Sequence, residues 1–118
     1  MKWLQFRKKM FGDHATEIPL SFFELESLLE VQIEQADVSG TVTTLKRLGR
    51  QLFKEERITL VNCCIDKNMH AEAFFLARDL PPGTELKMLL DKIIQSAAFA
   101  DDFNTSRAAA LFSEQIHA

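Results

Sequence analysis

Leu86, Leu89, Leu90, Ile93, Ile94 and Ala97 return at steps of three and four residues, and Phe22, Leu25, Leu28, Leu29, Ile33 and Ala36 do the same near the start of the chain. Each set lands on one face of a helix, the second within an arc of roughly 140° at 100° per residue. In a strand the same residues would fall on both faces, and half would be left in water. No alternating runs flank a tight turn, and no strand–helix–strand order appears. The chain is therefore expected to be all-α: five to six short helices in stacked antiparallel hairpins or a compact helical bundle.

Local punctuation places the helices. Ser21 and Glu24 make an S-x-x-E capping box after Pro19, so the first helix starts at Ser21 and ends near Asp37-Val38-Ser39-Gly40. The second is expected over Thr41–Glu56, with Leu45, Leu48 and Leu52 as its core edge and Val42 and Phe53 beside it. Gly49 then falls in mid-helix, where a missing side chain would admit a neighbouring helix. The third covers Arg57–Lys67, apolar nearly all round, and either continues the second with a bend or stands alone. Its Ile58-Thr59-Leu60-Val61 also suits a strand, but the helical patterns on both sides favour a buried helix. Asn68-Met69-His70 reads as a turn, and Ala71–Leu80 as a short helix stopped by Pro81-Pro82-Gly83. The last two helices are expected over Glu85–Ala100 and Thr105–Ile116. Residues 1–18 read as a basic and apolar arm with a loop, and 19–118 as a single domain.

Charge is segregated along the chain. Residues 1–11 carry four bases and no acid, residues 12–45 seven acids and no base, and residues 46–57 five bases against two acids. Within these blocks Glu26, Glu30 and Glu34 recur every four residues, as do Lys46, Arg50 and Lys54. On helices they form two opposite stripes that would pair with each other or set the orientation of a partner. The net charge of −3 argues against general nucleic-acid binding. A basic stripe following a phosphate backbone is the alternative reading. No apolar run approaches the length of a membrane span, although the basic, apolar residues 1–11 would suit a membrane surface. Cys63 and Cys64 are adjacent and sit in an apolar run, so they read as buried thiols of a cytoplasmic protein.

Catalytic chemistry finds little purchase. Cys63, Asp66 and His70 would share a face only if one helix ran unbroken through Asn68-Met69, and no fourth metal ligand is evident. No cofactor is implied and the chain is read as non-enzymatic. The better signal is aromatic. The ten Phe residues have no polar handle, and neighbouring rings on a helix diverge by about 100°. One ring of each pair Phe22-Phe23 and Phe74-Phe75 should miss the core. Phe23, Val31, Phe74, Phe75, Met88 and Phe99 are thus candidates for a surface that receives a partner.

The run Arg57–Asn62, then Asn68-Met69-His70-Ala71-Glu72-Ala73, then Pro81-Pro82 resembles small TPR-like chaperones of type III secretion needle subunits. The resemblance covers roughly residues 50–100. It implies an all-α scaffold that shields an amphipathic helix in a groove. The spacing of Ala71 and Ala108, 37 residues, lies near the roughly 34-residue TPR period. Together these features predict an adaptor or chaperone module that binds an amphipathic helix of another protein, or a second copy of itself.

Overall fold

The computed structural model describes residues 21–117, which form six helices. These are α1 (Phe22–Glu34), α2 (Val38–Leu48), α3 (Lys54–Asp66), α4 (His70–Ala77), α5 (Thr84–Phe99) and α6 (Phe103–His117). The expected arm, residues 1–18, lies outside the described residues. Consecutive helices fold back as three hairpins, α1–α2, α3–α4 and α5–α6. α1, α3 and α5 lie side by side, and α4 packs beside α6. The described residues make an elongated slab with Cα extents of 54 × 27 × 16 Å.

One turn design is used three times. Each hairpin bends through a three-residue connection whose middle residue is left-handed: Ala36 (φ 55°), Asn68 (φ 60°) and Asp101 (φ 63°). In each, the next N–H donates five residues back around the helix end: Asp37 to Gln32, Met69 to Cys64 and Asp102 to Ala97. This wraps the last helical carbonyls without a glycine. The three turn centres are 32 and 33 residues apart, so the described residues repeat one helical hairpin three times.

Several boundaries depart from expectation. Ser21 caps α1 as expected, its Oγ accepting from the Glu24 N–H at 3.2 Å, but the helix stops at Glu34. Asp37-Val38-Ser39-Gly40, expected as a break, is instead the start of α2: the Asp37 carboxylate accepts from the Gly40 N–H at 3.0 Å. α2 then ends at Leu48. Gly49 is not mid-helix but its left-handed cap (φ 72°), and nothing packs where its Cβ would be. Residues 49–53 leave the helix, and α3 starts afresh at Lys54. The Phe53 N–H donates to Glu56 Oε1 at 2.8 Å, half of a capping box. His70 is the first residue of α4 rather than part of the turn.

The core is one cluster. Leu29, Leu60, Val61, Cys64, Leu86, Leu90 and Ile93 are buried within it. Phe22, expected on the core face, is exposed because it lies one turn beyond Leu25, past the end of the packed stretch. Polar ties join the hairpins. Lys67 Nζ donates to the Gln35 carbonyl at 2.8 Å, linking the first two turns. Within the second hairpin, Arg57 Nη1 donates to the Leu76 carbonyl at 3.1 Å, near the negative end of α4. No described helix is long and apolar enough to cross a membrane.

Candidate functional site

α4 packs against α6, but α2 does not close against α4 in the same way. Between them lies a groove of about 430 Å³. One wall is α2, with Val38, Val42, Leu45 and Lys46; the other is α4, with Phe75 and Leu76, and Asp79 just past its end. Leu60 of α3 lies at the bottom, and Gly49 to Leu52 close one end. α2 has one side packed and another facing the groove. Thr44, whose Oγ1 donates to Gln32 Oε1 at 2.7 Å, faces α1, while Val38, Val42 and Leu45 turn toward the groove. Val42 is 45% exposed and Phe75 60%, which leaves apolar surface on both walls. Thr41 also lines the groove. It is 1% exposed, and its hydroxyl has no hydrogen-bond partner among the described residues.

Arg50 holds the closed end of the groove. Its Nε and Nη2 fork onto Glu26 at 3.1 and 2.8 Å, and its Nη1 and Nη2 reach Glu56 at 2.8 and 3.0 Å. Nη1 also donates to the Gln51 carbonyl at 2.8 Å, and the guanidinium lies 4.1 Å from the centre of the Phe53 ring. Hydrogen bonds from Arg50 hold the Glu56 carboxyl below its ordinary value of 4.5, and the two carboxylates push the guanidinium further up. One side chain thus clamps α1, the 49–53 connection and the start of α3.

The two charge stripes do not meet as stripes. Only Glu26 and Arg50 join across them. Lys54 lies on α3 rather than α2 and pairs with Glu85 at 2.6 Å. Lys46 is exposed on the groove rim without an ion pair among the described residues. Glu30 and Glu34 make no ion pair among the described residues; they line a separate hollow with Glu55 and Glu56 around Ile33. The premature end of α2 at Gly49 is the reason: it takes Arg50 and Lys54 off the helix that carries Lys46.

The apolar candidates are dispersed. Phe75 alone of the six lines the groove. Phe74 diverges from it into a second hollow beside α6 and meets Phe112 edge-on, with centroids 5.8 Å apart. Val31 is half-buried on α1, and Phe23 is exposed at that helix's start. Met88 and Phe99 project from α5, Phe99 being 94% exposed. Leu45 and Leu52, read from the sequence as core edge, do pack against the core, and together with Val42 beside them they also line the groove. Their signal was present in the apolar spacing, but it does not reveal that no helix covers them on the groove side.

His70 turns into the core, its Nε2 2.9 Å from Ser96 Oγ, while Asp66 stays exposed on the far side of the turn. Among the described residues no three His, Cys, Asp or Glu side chains are grouped to hold a metal. Burial pushes the Cys64 thiol up to about 11 and raises that of Cys63. Compared with known proteins, the chain matches no family model, no curated protein sequence and no solved structure.

Proposed function

We propose that this protein is a non-enzymatic interaction module, an adaptor or chaperone, whose α2–α4 groove receives an amphipathic helix of a partner protein. The observation that carries the reading is the groove itself: about 430 Å³, walled by Val42, Leu45 and Phe75, and rimmed by Lys46 and Asp79. Helix-in-groove recognition uses this combination of apolar walls for burial and rim charges for orientation. A cytoplasmic chaperone of a secreted helical subunit, as residues 50–100 imply by resemblance, is one form such a module takes. The thiols of Cys63 and Cys64 accord with a reducing compartment. A nucleic-acid role through Lys46, Arg50 and Lys54 has less support, since Arg50 and Lys54 are engaged by Glu26, Glu56 and Glu85.

A photo-crosslinking side chain placed at Phe75 tests this, with the same group at exposed Lys87 on α5 as control. The expected result is a discrete adduct to an amphipathic helical segment from position 75 alone, lost on Val42→Asp. Identical adducts from both positions, or none from 75, would sink the proposal. Light scattering on the same samples identifies a second copy as the occupant if the adduct is a dimer.

A further inference from the structure

The groove adjoins the point at which the first twenty residues leave the described fold. Arg50 belongs to both places: it lines the groove and forks onto Glu26, five residues after Ser21. At 1.5 Å per residue, those five residues are about 8 Å of α1. Residues 12–20 can span up to about 30 Å when extended. The groove runs along α2 only from Val38 to Lys46, about 12 Å. Residues 1–11 therefore have the reach to lie along it.

They also have matching chemistry. Trp3, Leu4, Phe6, Met10 and Phe11 offer apolar groups to apolar walls. Their four bases face a body in which, over residues 21–117, fifteen acids outnumber ten bases. The bases beside the groove do not repel such a segment strongly. Arg50 is shared by two glutamates, Arg57 faces Asp79 at 3.7 Å, and Lys46 is the lining cation that makes no ion pair among the described residues.

We propose that residues 1–11 dock in the α2–α4 groove of their own chain, so that a partner helix must displace them. This rests on the reading of the groove as a binding site and adds its regulation: the arm is an intramolecular competitor whose high effective concentration raises the affinity a partner needs. Because it is tethered, modest apolar contact suffices to keep the groove covered.

The full-length chain reports on this directly. Trp3 is its only tryptophan and it has no tyrosine, so tryptophan emission reads the arm alone. The expected result is a blue-shifted emission shielded from acrylamide at all protein concentrations. Val42→Asp in the wall and, separately, Phe11→Asp in the arm should each red-shift it and raise quenching several-fold, with far-ultraviolet helicity unchanged. A solvated Trp3 in the unaltered chain overturns the proposal. So does a shielded Trp3 that neither variant releases. Shielding that grows with concentration alongside a doubled mass would assign the groove to the arm of a second copy. Shielding that appears only with anionic vesicles would assign the arm to lipid; both results refute docking within one chain. None of these outcomes touches the crosslink at Phe75, so the arm and the groove can fail separately.

Discussion

Replacing Arg50 by Ala should cost about 2 kcal/mol of stability. The figure follows from its surroundings. Breaking a fully buried ion pair costs about 3–5 kcal/mol, whereas an exposed pair contributes about 0–1 kcal/mol. The Arg50 side chain is 17% exposed and those of Glu26 and Glu56 are 31% and 25%, between the two regimes. Four hydrogen bonds to carboxylates and one to the Gln51 carbonyl disappear together, with a stacked Phe53 ring. Arg50→Lys keeps the charge but cannot span two forks, and should lose about 1 kcal/mol. Glu56→Gln separates charge from cap, because a glutamine can still accept from the Phe53 N–H. Urea unfolding of the single and double variants gives the coupling energy, expected at about 1 kcal/mol for Arg50 with Glu56. The pH dependence has a definite sign. Glu56 is held below 4.5, so its contribution is present above that value and lost as pH falls through its lower folded value. An Arg50→Ala change below about 0.5 kcal/mol, the range of an ordinary surface substitution, would refute the clamp.

The turns give two predictions of opposite sign. Gly49→Ala should destabilise by about 1 kcal/mol, because its left-handed backbone is disfavoured with a Cβ even though the space is open. Exposed Asp101, left-handed without being glycine, should gain up to about 1 kcal/mol as Asp101→Gly, read by the same urea midpoint. Ser96→Ala strands the buried His70 ring without its 2.9 Å partner, with an expected loss of about 1–2 kcal/mol in thermal unfolding. Cys64, buried and pushed up to about 11, should resist a thiol reagent at neutral pH until the chain unfolds, while half-buried Cys63 reacts slowly; prompt labelling of both would contradict the packing.

The helices were legible in the sequence because their apolar periods are strong, and the all-α architecture in paired hairpins follows from them. The repeat was only partly legible. Its invariant is a backbone shape, a left-handed residue at 36, 68 and 101, and that shape is carried by Ala, Asn and Asp, which share no side-chain signature. The error over α2 has the same root. Asp37-Val38-Ser39-Gly40 contains residues that both end helices and start them, and only the side-chain bond from Asp37 to the Gly40 N–H decides between the two. α2 starts three residues before the expected Thr41 and stops at Leu48, eight before the expected Glu56, which puts Gly49 at its cap and breaks the basic stripe. The groove was invisible for another reason: periodicity says which residues are apolar on a face, not whether a neighbour arrives to cover them.

The repeat explains why one neighbour fails to arrive. Counting from each turn centre, Phe74 stands six residues after Asn68, and Phe112 eleven after Asp101. Those two rings meet and seal the step from the second hairpin to the third. The equivalent positions at the preceding step are Val42, six after Ala36, and Asp79, eleven after Asn68, and both line the open groove. A small aliphatic side chain and a carboxylate cannot fill the space that two rings fill. Val42→Phe combined with Asp79→Phe should therefore close the groove. An aromatic pair contributes about 0.5–1.5 kcal/mol beyond its burial, and the Arg57–Asp79 pair that it sacrifices is long and exposed at its Asp79 end, while Arg57 keeps its bond to the Leu76 carbonyl. The double variant should gain about 1 kcal/mol in urea unfolding and lose both the crosslink at position 75 and the shielding of Trp3. Destabilisation would mean that the two steps are not equivalent. A gain in stability with binding intact would place the binding surface outside this groove.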